Sequence, residues 1–185
     1  MTTGRLHALK KTYGDRLEIA YKTFLLAPTP QARSLSKEDI LGHWAMAKAH
    51  PGGERIDPER MAGRDFPYPY SMPGSVAIKA AAAQGADAEA RYVERIEEAH
   101  LVDCLDIADD DVLIGLARDL GLDVPRFEDL YRNGNLEEAV WRDHREAAGQ
   151  GIYSTPTVVL PDGRRAVGAQ PSETYEAIVQ ALLDA

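Results

Sequence analysis

The sequence has 185 residues, with 30 acidic and 21 basic side chains, a net charge of −9 and 44% hydrophobic residues. This length and apolar content suffice for one substantial core. The negative charge, with no stretch of lysine and arginine interleaved with aromatics, argues against a nucleic-acid partner. No apolar run could span a bilayer and the first residues lack the apolar core of a signal peptide, so we expect a cytoplasmic protein with no membrane partner.

The first two predicted elements are a helix and a strand. Leu6, Leu9 and Tyr13 recur at helical spacing, and Gly14 follows as a stop. From Leu17 to Leu26, hydrophobic residues first alternate with polar ones and then cluster, which is typical of a strand. The chain therefore opens in the order helix, strand.

The middle of the chain, residues 36–148, contains no convincing strand and is predicted to be helical. Ser36 is the expected N-cap of its first helix, with acidic residues in the following turn. Asn135 and Glu138 have the spacing of a capping box, which predicts the start of its last helix. The later helices are expected over residues 74–84, 87–99, 109–120, 125–132 and 135–148.

The end of the chain returns to α/β character. Thr157–Leu160 is rich in β-branched residues, Pro161-Asp162-Gly163 is a tight-turn sequence, and residues 164–168 supply a return strand, which together predict a hairpin. Ser172 is the expected cap of a final helix with a single apolar stripe. The two α/β ends are each too small to fold alone. We therefore expect one discontinuous domain, residues 1–36 and 149–185, interrupted by an all-helical domain at residues 37–148.

The single cysteine, Cys104, excludes a disulfide within the chain and a metal site built from several cysteines. We interpret it as a small packed thiol of the helical region, with a redox-sensing thiol as the alternative. The five histidines are scattered without ligand spacing, so we expect no metal site.

Several segments in this order resemble the DsbA-like branch of the thioredoxin superfamily, particularly the FrnE-like thiol-disulfide oxidoreductases. The resemblance covers nearly the whole chain and implies a thioredoxin-like α/β fold with an all-helical insertion. The segments that carry it are Arg5-Leu6, Tyr13-Gly14-Asp15, Phe24-Leu25-Leu26, Asp106–Asp109 with Val112-Leu113, Gly151–Thr157 (GIYSTPT) and Gly168–Pro171.

This resemblance implies a substrate-binding loop. Local sequence leaves open whether the bond before Pro156 is cis or trans, but the family's proline at this position is cis. The backbone of Thr155 would then face outward and pair with an extended thiol peptide, with Gln170 and Pro171 nearby. The family's reaction uses a Cys-x-x-Cys pair at a helix N-terminus. That pair does not occur here, so no catalytic residue can be assigned in this chain, and we expect the pair and a preceding strand upstream of Met1.

The resemblance implies a thiol-disulfide oxidoreductase acting on protein or small-molecule thiols and disulfides. It implies no resident cofactor, with glutathione or another small thiol as co-substrate. Two alternatives stay open, namely a non-catalytic binding protein for peptides or thiols and a relative of the glutathione-dependent isomerases and kappa-type transferases. If residues 1–185 are the whole protein, either a second copy would supply the missing strand, giving a homodimer, or the two exposed edges would close on each other.

Overall fold

A computed structural model describes residues 1–30, 37–50, 52–65 and 70–184. The expected N-cap Ser36 lies outside these ranges. The elements in chain order are α1 (Thr2–Tyr13), α2 (Lys37–Ala49), α3 (Pro58–Ala62), α4 (Ser71–Ala82), α5 (Ala86–Leu101), α6 (Asp110–Asp119), α7 (Val124–Asn133), α8 (Glu137–Gly149), β1 (Thr157–Val159), β2 (Arg165–Val167) and α9 (Ser172–Leu183). None of the helices in the described ranges is both long and apolar enough to cross a membrane.

The helical region is organised around α4, which packs against α5, α6, α7 and α8. Three of its four alanines, Ala77, Ala80 and Ala81, are completely buried. Such short side chains let the neighbouring helices approach closely. Tyr92 of α5 is also fully buried, and its hydroxyl donates to the Leu113 carbonyl of α6 at 2.9 Å, so the one polar atom of this side chain is satisfied.

The α/β region consists of the β1–β2 hairpin with α1 and α9. The two strands are antiparallel, with Val158 opposite Ala166. These two residues point to the face where Leu9 of α1 and the α9 side chains Tyr175 and Val179 form a hydrophobic cluster. The first and last helices of the chain therefore share one core with the hairpin.

The prediction of a strand at residues 17–26 is wrong. In the described part of the chain, this segment forms no backbone pairing with another strand. Two alternate amides on one side of it bond to side chains of α8 instead. The Thr23 N–H donates to the Asp143 carboxylate at 3.0 Å, and the Leu25 N–H donates to His144 Nδ1 at 3.3 Å. Side-chain acceptors thus take the place of a neighbouring strand along this edge.

Two predicted helix caps are also wrong. Asn135 has a φ of 49°, and α8 begins at Glu137 after Leu136, with no side chain capping it. The left-handed backbone of Asn135 places it in the turn after α7, which asparagine tolerates better than most residues. In α9 the capping position is occupied by Pro171, and Ser172 is the first helical residue.

Candidate substrate-binding site

A short exposed loop connects α8 to β1. Gly151 has a φ of 71°, a conformation that glycine adopts without steric cost, and the following Ile152 N–H donates to the Ala147 carbonyl at 2.9 Å. The chain then leaves the helix with Tyr153 73% exposed. Ser154 and Thr155 are exposed as well, so the loop presents three successive residues to solvent before the strand begins.

The Thr155–Pro156 peptide bond is cis, the geometry that the family resemblance implies. The Pro156 carbonyl accepts the Gly168 N–H at 2.8 Å and so continues the hairpin ladder. The backbone groups of Thr155 have no hydrogen-bond partner among the described residues, and its side chain is exposed. Pro156 therefore belongs to the hairpin, whereas the peptide groups of Thr155 stay available to a ligand.

The segment that follows β2 is fixed by a buried tyrosine. Tyr175 of α9 is 1% exposed; its hydroxyl accepts the Gln170 N–H at 3.3 Å and lies 3.5 Å from the Gly168 carbonyl. The Gln170 side chain donates to the Val167 carbonyl at 2.7 Å. Pro171 is exposed at the start of α9. Since Gly168 also bonds Pro156, the segment containing Gln170 and Pro171 is joined to the Thr155–Pro156 loop at one end of the hairpin.

Arg5 belongs to a segment that carries the family resemblance, but sequence reasoning did not place it at this site. It lies in α1, and its guanidinium donates to the Gln170 carbonyl. On its other side is Gly52, where an added Cβ would collide with the guanidinium. Arg5 is thus held between the segment after β2 and the loop after α2. No local signal in the sequence places this arginine at the site, because its neighbours come from residues far away along the chain.

The start of α1 is attached to α5 through acidic side chains. Glu97 of α5 lies near the backbone N–H and the hydroxyl of Thr3 in α1. Burial raises the pKa of Glu97 above its usual value, and the nearby Thr3 donors oppose this effect only in part. One turn later in α1 and about one turn earlier in α5, His7 Nδ1 lies 2.7 Å from the Glu94 carboxylate. These contacts set the position of α1, and so of Arg5, against the helical region.

Cys104 is not part of this site. Its side chain is 5% exposed and packs in a hydrophobic cluster with Trp44 and Met61, and its Sγ lies 3.7 Å from the Asp57 carbonyl. Burial raises the pKa of the thiol, which disfavours the reactive thiolate. These contacts agree with a packed thiol. Across the described residues, no three histidine, cysteine, aspartate or glutamate side chains are grouped so that they could hold a metal ion.

The fold and this site define a thioredoxin-like α/β protein with a helical insertion. A family model, the DSBA-like thioredoxin domain, matches residues 2–180. The chain therefore belongs to the DsbA-like thioredoxin family, and both the resemblance to the DsbA-like branch and the expected fold class are confirmed.

The curated proteins that match share less than a third of the residues in the matched region with this chain. The ClpXP adapter protein SpxH of Halalkalibacterium halodurans is 29% identical over 63% of this chain and 40% of its own length. Across the curated relatives that match, the chain spans 21% to 60% of their lengths.

Several solved structures share the fold. The cytosolic disulfide reductase DsbM of Pseudomonas aeruginosa with GSH has a TM-score of 0.78 at 19% identity, over 100% of this chain and 93% of its own. A 2-hydroxychromene-2-carboxylate isomerase has a TM-score of 0.69 at 20% identity, over 98% of this chain and 88% of its own. At these identities the likeness concerns the fold alone.

Proposed function

We propose that this chain binds extended thiol or disulfide substrates on the Thr155–Pro156 loop, as part of a FrnE-like thiol-disulfide oxidoreductase. The substrate-facing residues are Thr155, Pro156, Gln170 and Pro171. We assign this site to a discontinuous domain of residues 1–36 and 149–185, with residues 37–148 as the helical domain beside it. No Cys-x-x-Cys occurs in this sequence, so binding is the part of the function that its own residues can perform.

The observation that carries the proposal is the free backbone of Thr155. Its peptide groups have no partner in the described part of the chain, although the adjacent Pro156 is bonded into the hairpin. An extended peptide that lies alongside can satisfy such groups by main-chain hydrogen bonds and needs no particular sequence to do so. This mode of binding suits a protein that accepts many thiol peptides.

The small-thiol substrate that we propose is glutathione. Support comes from the related DsbM fold, which was solved with GSH, and from the exposure of the loop. We also propose a cytoplasmic location, since that neighbour is described as cytosolic.

The proposal is tested by titrating the protein with an extended peptide that contains S-methylated cysteine. Binding is monitored through the amide NMR signals of the protein. Successive amides of an extended chain point to opposite sides. N-methylation of the cysteine amide of the peptide and N-methylation of the next amide should therefore lower its affinity to different extents. The methylation that removes a bond to Thr155 should weaken binding by about two- to tenfold, for a hydrogen bond worth about 0.5–1.5 kcal/mol. Unchanged Thr155 and Gly168 signals, or equal effects of both methylations, would contradict the proposal.

A second candidate is a binding protein that performs no disulfide exchange. The curated relative SpxH is named an adapter protein, and Cys104 is buried with a raised pKa. The two candidates differ in one measurement on the protein from its native source. Peptide binding accompanied by thiol-disulfide exchange supports the oxidoreductase, and binding without exchange supports the adapter.

A further inference from the structure

We propose that a cleft between four helices of the helical region binds a small amine with an apolar or aromatic body. The cleft has a volume of about 350 Å³ and lies where α4, α6 and α8 begin and α7 ends. Small-molecule sites in proteins typically have volumes of about 300–1,000 Å³. Among the described residues that line it, none belongs to the Thr155–Pro156 loop, to α1 or to α9, so this inference goes beyond the proposed function and does not rest on it.

The walls of the cleft are held in place by contacts within the protein. α4 begins at Ser71, whose N–H donates to the Ala27 carbonyl at 2.7 Å and whose hydroxyl accepts the Ala27 N–H at 3.0 Å. In α7 the Tyr131 ring is nearly parallel to the buried Phe127 ring, and its hydroxyl donates to the Asp110 carboxylate of α6 at 2.7 Å. Since these contacts order the walls before a ligand arrives, binding does not have to order them.

Apolar and aromatic side chains supply much of the cleft surface. Met72 and Val76 of α4 are buried, and together with Ala108 they line it with apolar groups. Tyr70 and Tyr131 add two aromatic side chains. The face of an aromatic ring is electronegative and attracts a cation within about 6 Å of the ring centre. These groups suit a ligand with an apolar body and a positively charged end.

The charged side chains of the cleft leave one carboxylate without a partner. Arg132 pairs with Asp110 at 2.7 Å and with Glu128 at 2.9 Å, so its positive charge is already balanced. Glu137, the first residue of α8, is exposed at the cleft, and its side chain makes no ion pair or hydrogen bond in the ranges that the structure covers. The N-terminal dipoles of α4, α6 and α8 oppose a cation, but acidic residues in the first turns of α6 and α8 offset them. The unpaired Glu137 carboxylate therefore favours a ligand with a single positive charge.

Three compounds of similar shape provide the test, namely 2-phenylethylamine, 2-phenylethanol and 3-phenylpropionate, which are positive, neutral and negative at neutral pH. Their dissociation constants are measured from the methyl NMR signals of Met72 and Val76. The amine should bind about two- to fivefold more tightly than the alcohol, as expected for one partly exposed ion pair, and the acid should bind most weakly. Glu137→Gln should remove most of the advantage of the amine. Glu138→Gln is the matched control and should keep it, because Glu138 is the next residue of α8 and pairs with Arg145 at 2.6 Å.

Several results would overturn the proposal. Equal affinities of the amine and the alcohol, or tighter binding of the acid, would show that the cleft does not select a cation. An advantage of the amine that is as large in Glu137→Gln as in Glu138→Gln would remove the group on which the selection depends. Absence of binding by all three compounds, or signal changes at Thr155 and Gly168 with none at Met72 and Val76, would show that the cleft is not the site. Glu137 is exposed, so its substitution leaves the folded core in place.

Discussion

Replacement of Asp143 by alanine should be among the most destabilising single changes in this protein. The Asp143 side chain is 2% exposed and joins three parts of the chain. From α8 it lies 2.5 Å from the Lys79 ammonium of α4, and it accepts both the N–H and the hydroxyl of Thr23, at 3.0 and 3.3 Å. The carboxylate thus ties the unpaired segment at residues 17–26 to the helical region.

The expected loss of stability follows from the groups that the substitution leaves without a partner. Lys79 has only 13% of its side chain exposed, so alanine at 143 would leave a buried ammonium without its partner. Breaking a buried ion pair in this way costs about 3–5 kcal/mol. The Thr23 N–H would lose its acceptor at the same time, and the two losses overlap. For a chain of this size the expected fall in Tm is roughly 6–20 °C.

Urea unfolding measures this cost directly. Glu146→Ala is the control, because Glu146 pairs with Lys22 at 3.0 Å on the exposed surface. This substitution should lower the free energy of unfolding by less than about 1 kcal/mol. Adding Lys79→Met to Asp143→Ala should recover part of the loss by removing the unpaired charge. A cost below about 1 kcal/mol for Asp143→Ala, with an unchanged m-value, would refute this reasoning.

The pH dependence has a definite sign. Burial acts to raise the pKa of Asp143, but the Lys79 and Thr23 bonds outweigh it, and the pKa is lowered. A carboxyl with a lowered folded-state pKa stabilises the fold above its unfolded value, about 3.9, and this contribution is lost as the pH falls through the folded value. The difference in the free energy of unfolding between the unaltered protein and Asp143→Ala should therefore decrease as the pH is lowered.

Two further predictions concern Glu97 and Cys104. The raised pKa of Glu97 means that the folded protein favours its protonated form, so stability should fall as pH rises above about 4.3. Glu97→Gln keeps an acceptor for Thr3 and should reduce that fall, measured by urea unfolding at several pH values; an identical pH slope in both proteins would contradict the assignment. A chain of this sequence should reduce insulin only at background level, since exchange with release needs two thiols and Cys104 is buried. Activity that disappears in Cys104→Ser would show that this cysteine takes part in the reaction.

Local signals in the sequence were sufficient for much of the architecture. The apolar stripe of α9 lies against the hairpin through Tyr175 and Val179, as its spacing requires. The turn at Pro161-Asp162-Gly163 joins β1 and β2, with Gly163 at a φ of 84°. These predictions depend on neighbouring residues alone, which is why they could be made without knowledge of the fold. The family resemblance added the loop at Thr155, through the order of its segments and not through any one residue.

Long-range contacts decided what the sequence could not. The alternating residues after Leu17 are typical of a strand, yet a strand is defined by its partner, and here Asp143 and His144 of α8 bond two of the segment's amides. Arg5 is an unremarkable helical residue until folding places Gln170, 165 positions away, against its guanidinium. Side-chain periodicity records which face of an element is buried, whereas a site depends on which distant elements meet there, and only the tertiary structure contains that information.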